Sequence, residues 1–351
     1  MQNTIDPGTL QRHCAQVARA LLRGRVVPFL GAGVNLCDRP KDAVWKFPGA
    51  EFLPSGGELA QYLAREFDYP IRQSCHVDRC SKPHSLDLAR VSQYGVTMLG
   101  DGPLYDPLRG LFAKKFLPST VHSFLAGLPA ATPEHARDRH LLIVTTNYDD
   151  MMEQALGYDS TDLVFYNPSY KDPSDKGSGY AGRPRFLHRP PKGVAEPIEG
   201  PQECPYPFCE HRPVVLKIHG TIDNSPEQTN RVVITEDDYI EYLTQAPLDG
   251  LLPSSLIGRM RSKHHLLFLG YSLQDWNLRV FLRRLKREAS ETYIAWAVLL
   301  NADEAETRFW QKNDVHIIPV DLKTYIDVLS REVVSRTATQ QADSTPEKAD
   351  G

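Results

Sequence analysis

The sequence predicts an α/β fold, a doubly wound and mostly parallel Rossmann-like sheet with helical and loop insertions. Three observations point to it. At 351 residues with 41% hydrophobic and 24% charged side chains, the chain suits one large α/β domain with insertions. Short apolar runs of strand length alternate with segments of helical periodicity, the pattern of a parallel sheet covered on both faces. Four polar signatures each follow an apolar run directly, at the strand ends where open α/β sheets bind ligands.

The elements follow in order. Leu10, Cys14, Val17, Ala18, Leu21 and Leu22 form one helical stripe, and Gly24 sits where a C-cap belongs. Arg25 to Leu30 reads as a buried strand ending in the turn Gly31-Ala32-Gly33. Ser55-Gly-Gly-Glu58 has capping-box spacing and opens a helix through about Phe67. Residues 68–139 read as an insertion that is helical in patches; in the patch opened by Pro118 to His122, Phe124, Leu125 and Leu128 form the apolar side. His140 to Thr146 is a strand running into Thr146-Asn147-Tyr148-Asp149, followed by a helix over 150–156 and a strand over Leu163–Tyr166. Residues 167–213, rich in Pro, Gly, Ser and charge, read as a second, irregular insertion.

Val214 to Ile218 is a buried strand ending in His219-Gly220. Val232–Thr235 reads as a strand and Asp237–Leu243 as a helix. Leu266–Leu269 is a strand ending in Gly270-Tyr271-Ser272. Trp276–Glu288 is a helix whose Arg279, Arg283, Arg284, Lys286 and Arg287 read as a solvated basic face, an acidic or nucleic-acid partner being the alternative. A strand over Tyr293–Leu300, a helix over Asp303–Gln311, a strand over Val315–Val320 and a helix over Leu322–Val334 complete the pattern. One domain therefore covers residues 1–336, and residues 337–351 form a tail expected to be disordered.

Composition excludes several classes. Forty Lys and Arg stand against 44 Asp and Glu, a net charge of -4, which argues against direct nucleic-acid binding. The longest apolar runs reach about half the ~20 residues of a membrane span. With no signal-peptide core and only six cysteines, a cytoplasmic protein is expected.

The signatures carry chemistry. Gly31-Ala32-Gly33 suits close backbone approach to a pyrophosphate, although the tripeptide taken alone reads first as an ordinary tight turn. Leu36 stands where a dinucleotide fingerprint would have its third glycine, which disfavours a hydride-transfer dehydrogenase. His219 has the side chain whose ordinary pKa suits a base near neutral pH. Asn147 can donate and accept at once and so position water without adding charge. Taken singly, His219 reads first as a packed or capping strand-end residue, Asn147 as a turn or cap residue, and Asp149 and Asp275 as helix caps; only the ordered set reverses this for Asn147 and His219.

The ordered set Gly31-Ala32-Gly33, Thr146 to Asp149, Lys217 to Gly220 and Gly270 to Leu273 resembles the sirtuin (silent information regulator) superfamily, above all its bacterial NAD hydrolases. The resemblance spans roughly residues 10–335, with Leu21 to Gly33, Pro118 to Leu128 and Ile234 to Tyr239 adding to it. It implies an NAD glycohydrolase releasing nicotinamide and ADP-ribose. Gly31, Ala32 and Gly33 would cradle the pyrophosphate, Asn147 would order the ribose and the attacking water, and His219 would be the catalytic base. Asp149 would hold the nicotinamide carboxamide, Gly270 and Ser272 would line the nucleotide site, and Asn301 would face the adenosine ribose. It also implies a role in anti-phage abortive defence, a homo-oligomer, and a partner such as a HerA-type hexameric ATPase.

The chain departs from deacylating sirtuins in two ways. The zinc module of two CxxC pairs after the HG motif is missing; Cys75 and Cys80, then Cys204 and Cys209, have four-residue spacing and precede His219. No metal is expected and these cysteines read as reduced thiols, with a structural zinc on the four as the alternative. Thr221 to Pro226 replaces the segment that forms the acyl-peptide groove, so water is the expected acceptor. An NAD or ADP-ribose sensing subunit without turnover is the alternative function, and a protein deacylase is the least favoured.

Overall fold

The computed structural model describes residues 5–70, 86–132, 141–168, 185–198, 212–222, 231–244, 254–261, 264–271, 282, 294–300 and 304–343. Helix α1 (Pro7–Leu22) starts where the Asp6 carboxylate accepts the Thr9 N–H and where proline needs no donor. It ends at Gly24, whose φ of +60° is the left-handed turn expected after a helix. Strand β1 (Val26–Leu30) leads into a 3₁₀ helix, Ala32–Leu36. Helix α2 (Gly56–Glu66) opens on the reciprocal Ser55–Glu58 capping box. Helices α3 (Leu88–Leu99), α4 (Asp101–Phe112) and α5 (Thr120–Ala131) follow.

Strand β2 (Leu142–Thr145), helix α6 (Met151–Leu156) and strand β3 (Asp162–Asn167) come next. Strands β4 (Arg185–Arg189) and β5 (Glu196–Pro197) lie inside the segment that reads as irregular in the sequence. They form because β4 pairs antiparallel with β3 from Leu163↔Arg189 to Asn167↔Arg185, a non-local pairing with no local signature. Strand β6 (Val214–Lys217) precedes helices α7 (Glu236–Thr244) and α8 (Ser254–Arg261). Strand β7 (His265–Leu269), strand β8 (Ala295–Val298), helix α9 (Glu304–Gln311), strand β9 (Val315–Ile318) and helix α10 (Leu322–Asp343) complete the described residues. Residues 232–235 form no strand, only a Gly220↔Val232 bridge. Helix α10 runs through Asp343, so residues 337–343 of the expected tail are helical. Apart from Leu282, the expected basic helix Trp276–Glu288 lies outside the described residues.

The sheet order is β5-β4-β3-β6-β2-β1-β7-β8-β9. From β3 to β9 every pairing is parallel. The chain winds outward from β1 in both directions, which creates a switch point beside β1 where a crevice opens at the strand ends. Pro28 sits in this central strand without harm. The β1–β2 pairing is limited to Phe29↔Val144 and Leu30↔Thr145, past the missing N–H, while β7 pairs with all five residues.

Both faces are covered. On one, Phe29, Leu216 and Phe268 pack with Tyr242 of α7, Ile257 of α8 and Trp310 of α9. On the other, Ile143, Val215 and Leu267 pack with Val17 of α1, Leu125 of α5 and Tyr325 of α10. A third cluster joins Leu63, Val91, Leu104 and Leu108 of α2–α4 to Tyr148, Met151, Ile222 and Ile234. Each such burial contributes roughly 1.5–3 kcal/mol. The helical layer is thereby held against the loops that leave β2 and β6, and it walls the crevice. No helix among the described residues is long and apolar enough to cross a membrane.

Candidate active site

The ends of β1 and β7 meet backbone to backbone. A Cβ on Gly33 would lie 2.6 Å from the Gly270 carbonyl oxygen, and one on Gly31 2.7 Å from it. Gly270 itself has φ +70°, and a Cβ there would come within 2.3 Å of the Val34 nitrogen. The Gly31 and Gly33 N–H groups donate to the Leu269 and Gly270 carbonyls at 3.0 and 2.8 Å. Those two donors are thus already used, unlike the anion-facing arrangement the sequence suggests. The glycines here secure a close strand-to-strand approach that forms the crevice floor, with Ala32 exposed upon it.

The segment after β2 is fixed by the last residue of that strand. Thr145 Oγ1 donates to the Leu30 carbonyl (3.0 Å) and accepts the Asn147 N–H (3.0 Å). Asn147 Nδ2 then donates to the Gly31 carbonyl at 3.3 Å. The Asp149 carboxylate accepts the Met151 N–H at 3.1 Å and Asn35 Nδ2 at 2.8 Å. Asp149 therefore does serve the start of α6, and it also lines the crevice. Both Asn147 and Asp149 are buried.

His219 leaves β6 through Gly220, whose φ of +88° and close approach to the Arg231 and Tyr166 carbonyls admit only glycine. The His219 carbonyl accepts the Val233 N–H at 2.9 Å. Its buried ring stands edge-on to Tyr239 and Tyr242, each at 5.6 Å. Tyr148, whose hydroxyl donates to the Val233 carbonyl at 2.8 Å, ties the two segments together from above. Burial pushes the Tyr148 hydroxyl well above its usual range, so it stays a neutral donor.

One cavity of about 650 Å³ gathers these groups, within the size range of small-molecule sites. Gly31, Ala32, Gly33, Asn147, Asp149, His219 and Gly270 all line it. Leu53, Leu59, Leu88 and Phe112 give it an apolar wall, and Val298 to Leu300 with Val320 to Leu322 close the far end. Ser272 and Asn301, and also Asp275, lie outside the described residues.

Sequence reasoning missed two groups. Asn35 also lines the cavity. Because a carboxylate only accepts, the bond to Asp149 fixes the Asn35 amide orientation, and its buried Oδ1 meets no hydrogen-bond partner among the described residues. A polar side chain two residues past a glycine bend was the available signal. The second is Lys217, fully buried in β6. Its ammonium donates to Glu153 Oε1 (2.8 Å), Thr221 Oγ1 (3.1 Å) and the Asp149 main-chain carbonyl. Burial pushes the Glu153 carboxyl up, and the Lys217 charge opposes that.

His122 proves to be a capping residue. Its Nδ1 accepts the Ser119 N–H at 3.1 Å, and burial lowers its pKa while the Asp149 and Asp38 charges oppose the shift. Among the described residues, no three His, Cys, Asp or Glu side chains are grouped to hold a metal. Cys14 and Cys37 are free thiols; Cys75, Cys80, Cys204 and Cys209 lie outside the described residues.

Comparison with known proteins adds two findings. The SIR2-like domain family matches residues 141–318, which takes in β2 through β9 with Asn147, Asp149, His219 and Gly270. Over 79 residues the chain is 30% identical to defense-associated sirtuin 2 of Bacillus subtilis, a stretch covering 22% of this chain and 7% of that protein.

Proposed function

We propose that this chain, which belongs to the SIR2-like domain family, cleaves NAD to nicotinamide and ADP-ribose in the cavity at the β1 switch point. One observation carries the reading. Asn147 and His219, on loops after different strands, line the same cavity as the glycine bend.

The chemistry asks little of the protein. Nicotinamide is a good leaving group because a cationic ring departs neutral, so no strong general acid is needed. The ribose must be held, water placed on its open face, and a base kept near. Asn147 serves the ribose and the water, and His219 accepts the proton. Asp149 and the Asn35 Oδ1, which meets no partner among the described residues, offer acceptors to the carboxamide NH₂ group. The diphosphate lies over the floor made by Gly31, Ala32, Gly33 and Gly270, and the family resemblance assigns Ser272 and Asn301 to the nucleotide. Leu59 and Phe112, on the apolar wall, limit water to the positioned molecule.

The likeness to defense-associated sirtuin 2 supports an effector role in antiviral defence, in which NAD loss follows a trigger. An unrestrained NAD hydrolase is toxic to its own cell, so activity is gated by self-assembly or by a partner such as a HerA-type hexameric ATPase. The test is nicotinamide release from NAD by the purified chain, alone and with such an ATPase. Release is expected in at least one assembly state, with Asn147→Ala and His219→Ala each lowering it about 10²–10⁴-fold. No release in any state, or full rates in both variants, refutes the assignment. Tight NAD binding without turnover in the assembled state would instead identify a sensing subunit.

A further inference from the structure

We propose that Lys217 is a positioning residue that sets the Asn147–Asp149 segment against His219. Its ammonium is fully buried and has three donors to place. Each finds an acceptor on a different piece of the site. Glu153 Oε1 lies in α6 at 2.8 Å, the Asp149 carbonyl lies in the loop after β2, and Thr221 Oγ1 follows His219 at 3.1 Å. Thr221 Oγ1 donates onward to the Tyr148 carbonyl at 3.5 Å, which also accepts the Ile222 N–H at 3.2 Å. The carbonyls of residues 148 and 149 are therefore held from β6 and from the chain just beyond His219.

Packing alone does not explain an ammonium at this point. A buried ion pair is commonly matched or bettered in stability by apolar side chains of similar volume. What an apolar pair cannot supply is direction. By drawing the Asp149 carbonyl inward, Lys217 fixes the peptide that leaves the Asp149 carboxylate on Asn35 and the Met151 N–H. Lys217 also lies two residues before His219, so one group registers both loops that meet in the cavity. Displacements near 1 Å in such a pairing lower rates on the order of a hundredfold.

The kinetic part rests on the NAD-cleaving reading; the exchange part does not. The variants are Lys217→Met/Glu153→Leu, which removes both charges at similar volume, and Thr221→Val with Thr221→Ser as its conservative counterpart. Thermal melting, kcat and KM for nicotinamide release, and amide hydrogen exchange are measured on the full chain. The double variant is expected to lose kcat roughly tenfold to a hundredfold with KM within about twofold. Thr221→Val falls in the same direction by a smaller factor, and Thr221→Ser restores the rate. Exchange rises together in residues 147–151 and 219–222. A double variant with wild-type kcat, or faster exchange confined to α6, overturns the proposal and leaves an ordinary structural ion pair. If the wild-type chain releases no nicotinamide in any assembly state, the hydrolase reading fails, and the paired exchange response still decides the role of Lys217. Should the double variant not fold, the Thr221 pair decides it by the same readouts.

Discussion

Replacing Gly33 by alanine separates two roles for the glycine bend. The new methyl carbon would stand 2.6 Å from the Gly270 carbonyl oxygen, 2.9 Å from its Cα and 3.0 Å from its carbonyl carbon. All three are backbone atoms, so no side chain can swing aside. Relieving that overlap by shifting backbone costs about 1–3 kcal/mol. The shift also strains the 2.8 Å bond from the Gly33 N–H to Gly270, worth about 1 kcal/mol. The sum is about 2–4 kcal/mol, a large share of the ~5–15 kcal/mol that stabilises a folded chain. At about 2 °C per kcal/mol for a protein of this size, Tm should fall by about 4–8 °C. Gly270→Ala should fall further, because φ of +70° adds about 1–2 kcal/mol for any residue with a Cβ. Ala32→Ser, exposed on the floor, should stay within about 0.5 kcal/mol of wild type. The assay is thermal unfolding followed by circular dichroism, with NAD or ADP-ribose titrated separately. If Gly33→Ala melts like wild type and loses only nucleotide affinity, the glycines serve the phosphate and the packing account is wrong.

Two further predictions concern charge and protonation. Asn35 Oδ1 and the Asp149 carboxylate are neighbouring acceptors, so the NAD analogue bearing a carboxylate in place of the carboxamide should be cleaved at least ~10²-fold less efficiently; equal kcat/KM for the two substrates would contradict the assigned headgroup site. Burial pulls the His13 pKa down to about 4, with the His316 charge adding to the effect. The unfolded chain therefore binds the extra proton first: stability is fully present above about pH 6.5 and is lost as pH falls toward 4. The difference is on the order of 2–3 kcal/mol, visible as a Tm that declines over that window and flattens in His13→Phe. A wild-type Tm independent of pH between 6.5 and 4 would refute it.

Much of the fold was legible because its strands are buried and its helices carry local start signals. The run Val26–Leu30 is wholly buried, and the Ser55–Glu58 box makes both of its reciprocal bonds. What escaped depends on partners far along the chain. Strand β4 has charged ends, Arg185 and Arg189, and takes its register from β3. The 232–235 segment is apolar because it packs under Tyr148 and the helical layer, where a strand and a buried loop look alike. Within the site, Asn147, Asp149 and His219 were visible as polar residues just past apolar runs. Asn35 and Lys217 were not, since their meaning comes from Asp149 and Glu153, which only folding brings near them. The glycine bend was visible as a turn after an apolar run, but its close contact with Gly270 could not be read from three residues alone.

A crystal structure of the Asn147→Ala variant with ADP-ribose bound decides whether this cavity is the site of cleavage. The anomeric carbon is expected between position 147 and the His219 imidazole, with the diphosphate over Gly31 to Gly33. ADP-ribose bound elsewhere, or excluded from this cavity at saturating concentration, would contradict that assignment.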